Sequence, residues 1–148
     1  MKKQKGFSLI ELLIVVAIIL IIAAIAIPNL LRSRMAANEA SAAGSLRTIA
    51  TANVTYSATY NVGFAPNITN LAPPAGGGAA DSTAADLIDA TLGAANPSSK
   101  SGYTFTYYSL VAAPTVAAPN GVYAVAATPV TAASTGQSTF CIDMTNVV

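Results

Sequence analysis

Between Phe7 and Ile27 the chain has one charged side chain, Glu11, in an otherwise apolar run long enough to cross a lipid bilayer. A carboxylate near the middle of a bilayer-spanning helix costs about 2.5–3.5 kcal/mol on insertion scales, so one that is kept there has a use and needs a partner. Lys2, Lys3 and Lys5 stand just before Gly6. By the positive-inside rule they hold the N-terminus in the cytoplasm and send everything after Ile27 to the outer side.

Two kinds of processing fit such an N-terminus. A secretory signal peptide has an apolar region of about 7–15 residues followed by a small-residue cleavage site, and Ala23-Ala24-Ile25-Ala26 offers small residues of that kind. Here the apolar run is longer, the small residue Gly6 precedes it, and a carboxylate inside the run suits a secretory signal poorly. The segment Lys5-Gly6-Phe7-Ser8-Leu9-Ile10-Glu11-Leu12-Leu13-Ile14-Val15-Val16-Ala17-Ile18-Ile19, with Ala24-Ile25-Ala26-Ile27-Pro28 behind it, instead resembles the start of class III signal-peptide proteins. These are the type IV pilins and the pseudopilins of type II secretion. The resemblance runs to about Arg34 and says little about the rest. It implies that a prepilin peptidase cuts after Gly6 at the cytoplasmic face and methylates the new N-terminal Phe7. It also implies that Glu11, then the fifth residue, serves subunit assembly.

Elementary chemistry agrees with that implication. Cleavage after Gly6 removes the three lysines and creates an α-ammonium, which an unperturbed pKa near 8 keeps mostly charged at neutral pH. Four residues of helix separate it from Glu11 by about 6 Å along the axis, so pairing between staggered neighbouring subunits is geometrically open. The simpler alternative is a Glu11 that snorkels to the cytoplasmic headgroups.

Composition limits the remainder. The 148 residues allow one small domain beyond the membrane segment. Removing three of the seven Lys+Arg leaves four against six Asp+Glu, so no strongly basic patch marks a nucleic-acid partner. With no histidine and one cysteine, the usual nucleophile–base pairs are missing, and the sequence points to neither an enzyme nor a cofactor. Cys141, lacking an intramolecular partner, is expected as a small buried hydrophobe, which departs from the disulfide-closed loop common in pilins. Asp81, Asp86 and Asp89 fit no oxygen-ligand loop, so no metal site is expected.

The expected fold is α+β: a long N-terminal helical spine, membrane half then amphipathic half, packed against a small antiparallel sheet. Pro28 should kink this helix, which otherwise runs from about Ser8 to about Tyr60, roughly 80 Å by rise per residue. Leu30, Leu31, Met35, Leu46, Ile49, Ala50, Val54 and Ser57 form its apolar stripe. Gly44 could mark a close helix approach. Residues 61–80 read as a surface loop, and Ala84–Leu92 as a short helix burying Leu87, Ile88 and Leu92. Three strands are expected: Tyr103 to Val111, Val122–Ala127 after an Asn120-Gly121 turn, and Ser138–Asp143. Asn53-Val54-Thr55 and Asn67-Ile68-Thr69 match the glycosylation pattern. The tyrosines are read as packing residues, and Arg32, Arg34 and Arg47 as lipid or subunit contacts or a solvated face. The organisation is a leader at 1–6, a transmembrane and filament-core helix at 7–28, its amphipathic continuation at 29–60, and a head at 61–148 forming one domain with 29–60.

The resemblance implies a structural subunit, stored in the bacterial inner membrane and assembled as a homo-oligomeric helical filament outside the cell, with lipid, the prepilin peptidase and the inner-membrane assembly machinery as partners. Alternatives are a type II secretion pseudopilin, or a pilus component for DNA uptake or adhesion. Replacing Gly6 by leucine should leave uncut precursor in the membrane; N-terminal sequencing that found a mature end after Ala24 or Ala26 would point to a secretory signal instead.

Overall fold

The computed structural model describes residues 7–148. The leader lysines and the expected cleavage residue Gly6 lie outside the described residues. The chain divides into two compact units, Met1–Arg34 and Met35–Val148, and one helix, α1 (Leu9–Tyr60), contributes to both. The fold is α+β and pilin-like: a long N-terminal helix with an apolar first part, and a four-stranded antiparallel sheet packed on its second part.

In the first unit, α1 runs on through Pro28. Every residue from 7 to 34 is exposed except the half-buried Ala23. A helix that is apolar on all sides cannot use one face for a core and leave the other to water; it is built for lipid or for packing among other helices.

In the second unit the sheet order follows the chain: β1 (Ser98–Lys100), β2 (Tyr103–Ser109), β3 (Tyr123–Pro129) and β4 (Phe140–Asp143). Alternation sets its inner face. Tyr103, Phe105 and Tyr107 point inward from β2, and Tyr123, Val125 and Ala127 from β3, with Tyr107 opposite Val125 and Val125 opposite Ile142 of β4. The Tyr107 and Tyr123 rings stack at 5.8 Å, and Phe64 meets Tyr123 edge-on at 4.8 Å.

Against this face α1 presents Ala42, Ser45, Leu46, Ile49, Ala50, Ala52, Asn53 and Tyr56 at three- and four-residue steps. Leu46, Ile49 and Ala50 are the expected stripe residues that reach the core. Leu30, Leu31 and Val54 are exposed: the first two precede the part of α1 that enters the core, which begins at Ala42, and Val54 lies off the face that carries Leu46, Ile49, Asn53 and Tyr56. A Cβ on Gly44 would meet nothing within this chain.

Four expectations change. The segment after α1 is a surface loop only in its last part, residues 75–80: Ala65, Ile68 and Leu71 are fully buried, the latter two on a 3-10 helix (Ile68–Leu71). Residues 84–92 form turns instead of a helix, since Ala85, Leu87 and Ile88 donate their backbone N–H groups to Asn70 and Leu71; Ile88 and Leu92 are nonetheless buried. Asn120-Gly121 is not the hairpin turn. Asn120 is buried and bridges to Gly63, while the tight two-residue hairpin is Ser101-Gly102, both at positive φ (51° and 75°), joining the missed strand β1 to β2. Cys141 is exposed, because Ile142 takes the inward position of β4 and leaves its neighbour on the outer face.

Asn53 ties the layers together. Its Nδ2 donates to the Ile49 carbonyl at 3.1 Å, and its Oδ1 accepts from the Ala65 N–H at 3.1 Å and the Tyr107 hydroxyl at 2.9 Å. Full burial rules it out as a glycosylation acceptor in the folded chain. Asn120 completes the knot, its Nδ2 donating to Phe64 O, Ala65 O and Ser109 Oγ. Asn53→Ala strands the Ala65 N–H, so we expect a loss of about 2 kcal/mol, read from urea unfolding of the detergent-solubilised chain; unchanged stability would remove Asn53 from this role.

Candidate functional site

The first turn of α1 holds the residues expected to act in assembly. Ser8 immediately precedes the helix and Glu11 is its third residue, the S-x-x-E spacing of a capping box. Glu11 Oε2 accepts a hydrogen bond from the Ser8 backbone N–H at 2.8 Å, and the Leu12 N–H closes the first helical turn on Ser8 O at 3.3 Å. The carboxylate, expected to lack a partner until a neighbour or a new amine supplied one, therefore has one within its own turn. The helix dipole also favours an anion there. Phe7 stands beside it, 87% exposed. Pro28 lies farther along the same helix, away from this cluster.

The remaining carboxylates are mostly engaged. Glu39 Oε1 accepts from the backbone N–H groups of Gln137 at 2.9 Å and Ser138 at 3.1 Å, and these bonds hold its carboxyl below the usual range. Asp81 and Asp143 each close a turn onto the threonine two residues on, which lowers both through the threonine hydroxyl and N–H. Burial pushes the Asp89 carboxyl up, but Lys100 at 2.7 Å and the Leu92 and Thr91 N–H groups outweigh it. These bonds account for Asp81 and Asp89 as turn-formers. Burial raises the Tyr107 hydroxyl strongly and pushes Tyr123 up to about 12, so both remain neutral donors inside the core.

Among the surface hollows of the described residues, two lie on elements of different character. One of about 280 Å³ is lined by Tyr108, Leu110, Val122 and Tyr123 and is apolar. The other, about 330 Å³, lies along Arg47, Thr48, Thr51 and Thr55, whose threonine hydroxyls donate to carbonyls of their own helix. From Ser101 to Ile142 no residue is charged, and Lys100 is paired, so this sheet offers no cationic surface to a polyanion.

The family model described as the prokaryotic N-terminal methylation motif matches residues 1–27. Over 39 residues the chain is 64% identical to the type IV wide pilus major component PilA4 of Thermus thermophilus, a stretch covering 26% of this chain and 30% of that protein. The N-terminus therefore carries the prokaryotic N-terminal methylation motif and is similar to that of a type IV pilus component. Over 72 residues the chain is also 43% identical to the type IV major pilin protein PilA of Myxococcus xanthus, covering 43% of this chain and 33% of that one. The chain thus spans about a third of the length of these curated relatives. No solved structure matches it. Ser8 and Glu11 lie inside the matched motif, and the sheet lies outside it.

The lowered carboxylates set the acid behaviour of the second unit. A folded-state pKa below the unfolded value gives a stabilisation that is complete above the unfolded carboxylate range near 4 and is lost as pH falls through the folded values. Glu39→Gln should therefore flatten the loss of melting temperature between about pH 5 and about pH 2, followed by circular dichroism. A variant with the same acid slope as the parent would contradict the assignment.

Proposed function

We propose that this chain is the main repeating subunit of a type IV pilus. The observation that carries the reading is the first part of α1, apolar on every side and exposed except at Ala23, within a matched N-terminal methylation motif. In this reading the leader 1–6 is removed by a prepilin peptidase, Phe7 becomes the methylated N-terminus, and residues 7–28 anchor the precursor in the inner membrane before becoming the filament core, with a bend at Pro28 redirecting the helix. Residues 29–60 and 61–148 form the head displayed on the extracellular filament. The named relatives are pilus components, which favours a pilus over a secretion pseudopilin. The sheet, whose one cation, Lys100, is paired with Asp89, does not favour DNA capture.

Assembly, on this reading, is a partner exchange. In the free chain Glu11 is held by the Ser8 N–H. In the filament the α-ammonium of a neighbour's Phe7 replaces or joins that bond, and two charges that lipid disfavours neutralise each other. The inner-membrane assembly machinery supplies the subunits to this contact.

Glu11→Ala should still be inserted and cleaved, while its incorporation into surface filaments falls at least about a hundredfold, because the neighbour's amine is left buried and unpaired. Immunoblots of sheared filaments against membrane-held subunit read the ratio. Wild-type incorporation of the alanine variant would sink the exchange. Loss of protein secretion without loss of surface filaments, on deleting the chain, would favour the pseudopilin.

A further inference from the structure

Arg32 and Arg34 are the first charges after the apolar run, and both are exposed. No carboxylate answers them. Among the described residues the only ion pair is Lys100–Asp89, and Glu39, the acid nearest in sequence, is held by backbone N–H groups of Gln137 and Ser138. Two residues of α-helix turn through about 200°, so the two guanidiniums leave α1 on opposite sides. A neighbouring protein chain meets a helix from one side; a lipid leaflet surrounds it.

Spacing adds a second constraint. Along α1, Arg32 and Arg34 lie about 32 Å and about 35 Å from Glu11, and the hydrocarbon core of a bilayer is about 30 Å thick. With the arginines at the outer headgroups, Leu12–Leu31 fills the hydrocarbon and a modest tilt absorbs the excess. Glu11, with its capped first turn, then reaches the inner boundary instead of the bilayer centre.

We propose that Arg32 and Arg34 bind the phosphate groups of outer-leaflet lipids and thereby set the depth of the helix, holding Glu11 at the inner boundary. The proposal rests on the membrane-held precursor proposed above. Guanidinium groups suit this task because their fork of N–H donors grips phosphate oxygens in pairs. Near an anionic leaflet each arginine strengthens association about fivefold. The same contacts make the subunit's hold on the membrane sensitive to lipid charge.

The test uses the full chain with Leu31→Cys and Cys141→Ala, labelled with bimane at position 31 and reconstituted in phosphatidylcholine vesicles containing a minor share of phosphatidylglycerol. Brominated phosphatidylglycerol should quench the label several-fold more effectively than brominated phosphatidylcholine at equal mole fraction. R32Q/R34Q should bring the two to parity, R32K/R34K should keep part of the preference, and excess inorganic phosphate should leave it intact. Parity in the parent chain, or a preference unchanged by R32Q/R34Q, overturns the proposal. Abolition by inorganic phosphate overturns it as well, since the site would then take free phosphate. Alkaline carbonate separates the two readings: a chain that washes off the vesicles defeats the membrane-held precursor together with this proposal. A chain that stays in them but shows parity defeats only this proposal.

Discussion

The 2.8 Å hydrogen bond from the Ser8 amide to the Glu11 carboxylate joins two groups that hydrocarbon cannot solvate. An uncapped helix start leaves backbone donors without partners, and a carboxylate in lipid leaves a charge without one. One contact in one turn answers part of both needs, so the apolar helix can begin next to a charge. On the assembly proposed above, it also makes Glu11 an exchangeable group, bonded in the free chain yet able to meet a stronger, cationic partner when subunits stack. A tightly buried ion pair inside the monomer would have had to be broken first.

The second unit solves a different problem with similar means. Its sheet contributes an aromatic inner face, and α1 meets it with alanines and with Asn53, a polar side chain at the centre of the core. Asn53 and Tyr107 bond each other, and together with Asn120 they engage the backbone of residues 64–65, so the chain leaving α1 is pinned beneath the sheet, although Asn120 Oδ1 is buried without a partner. Buried polar groups are costly unless bonded, so these bonds favour one arrangement of helix, connection and sheet.

Much of this was legible in the sequence, for physical reasons that differ by element. The all-apolar run and the alternation Tyr103-Thr104-Phe105-Thr106-Tyr107 are periodic signals that need no context, and both elements lie where they were expected. The second half of α1 was read as helix correctly, but its core face was misjudged because the packing positions are filled by Ala42, Ala52 and Asn53, which carry little hydrophobic signal. The burial of Ile68 and Leu71 and the turns at 84–92 depend on hydrogen bonds between segments far apart in sequence, which local composition cannot report. Ser101-Gly102 did carry a turn signal, and the stronger dipeptide Asn120-Gly121 drew attention from it. At the candidate site, Glu11 stands out by its misfit with lipid, and its cap is written just as plainly in the S-x-x-E spacing of Ser8-Leu9-Ile10-Glu11.

The partner exchange at Glu11 is open to a direct distance measurement. Filaments grown from an equal mixture of subunits, half carrying carbon-13 in glutamate and half nitrogen-15 in phenylalanine, contain labelled Glu11–Phe7 pairs only between different chains. Dipolar recoupling between the Glu11 carboxyl carbon and the amine nitrogen of Phe7 should then give an ion-pair distance, within about 4 Å. No coupling in these mixed filaments, with Glu11 still bonded to its own Ser8 amide, would contradict the account.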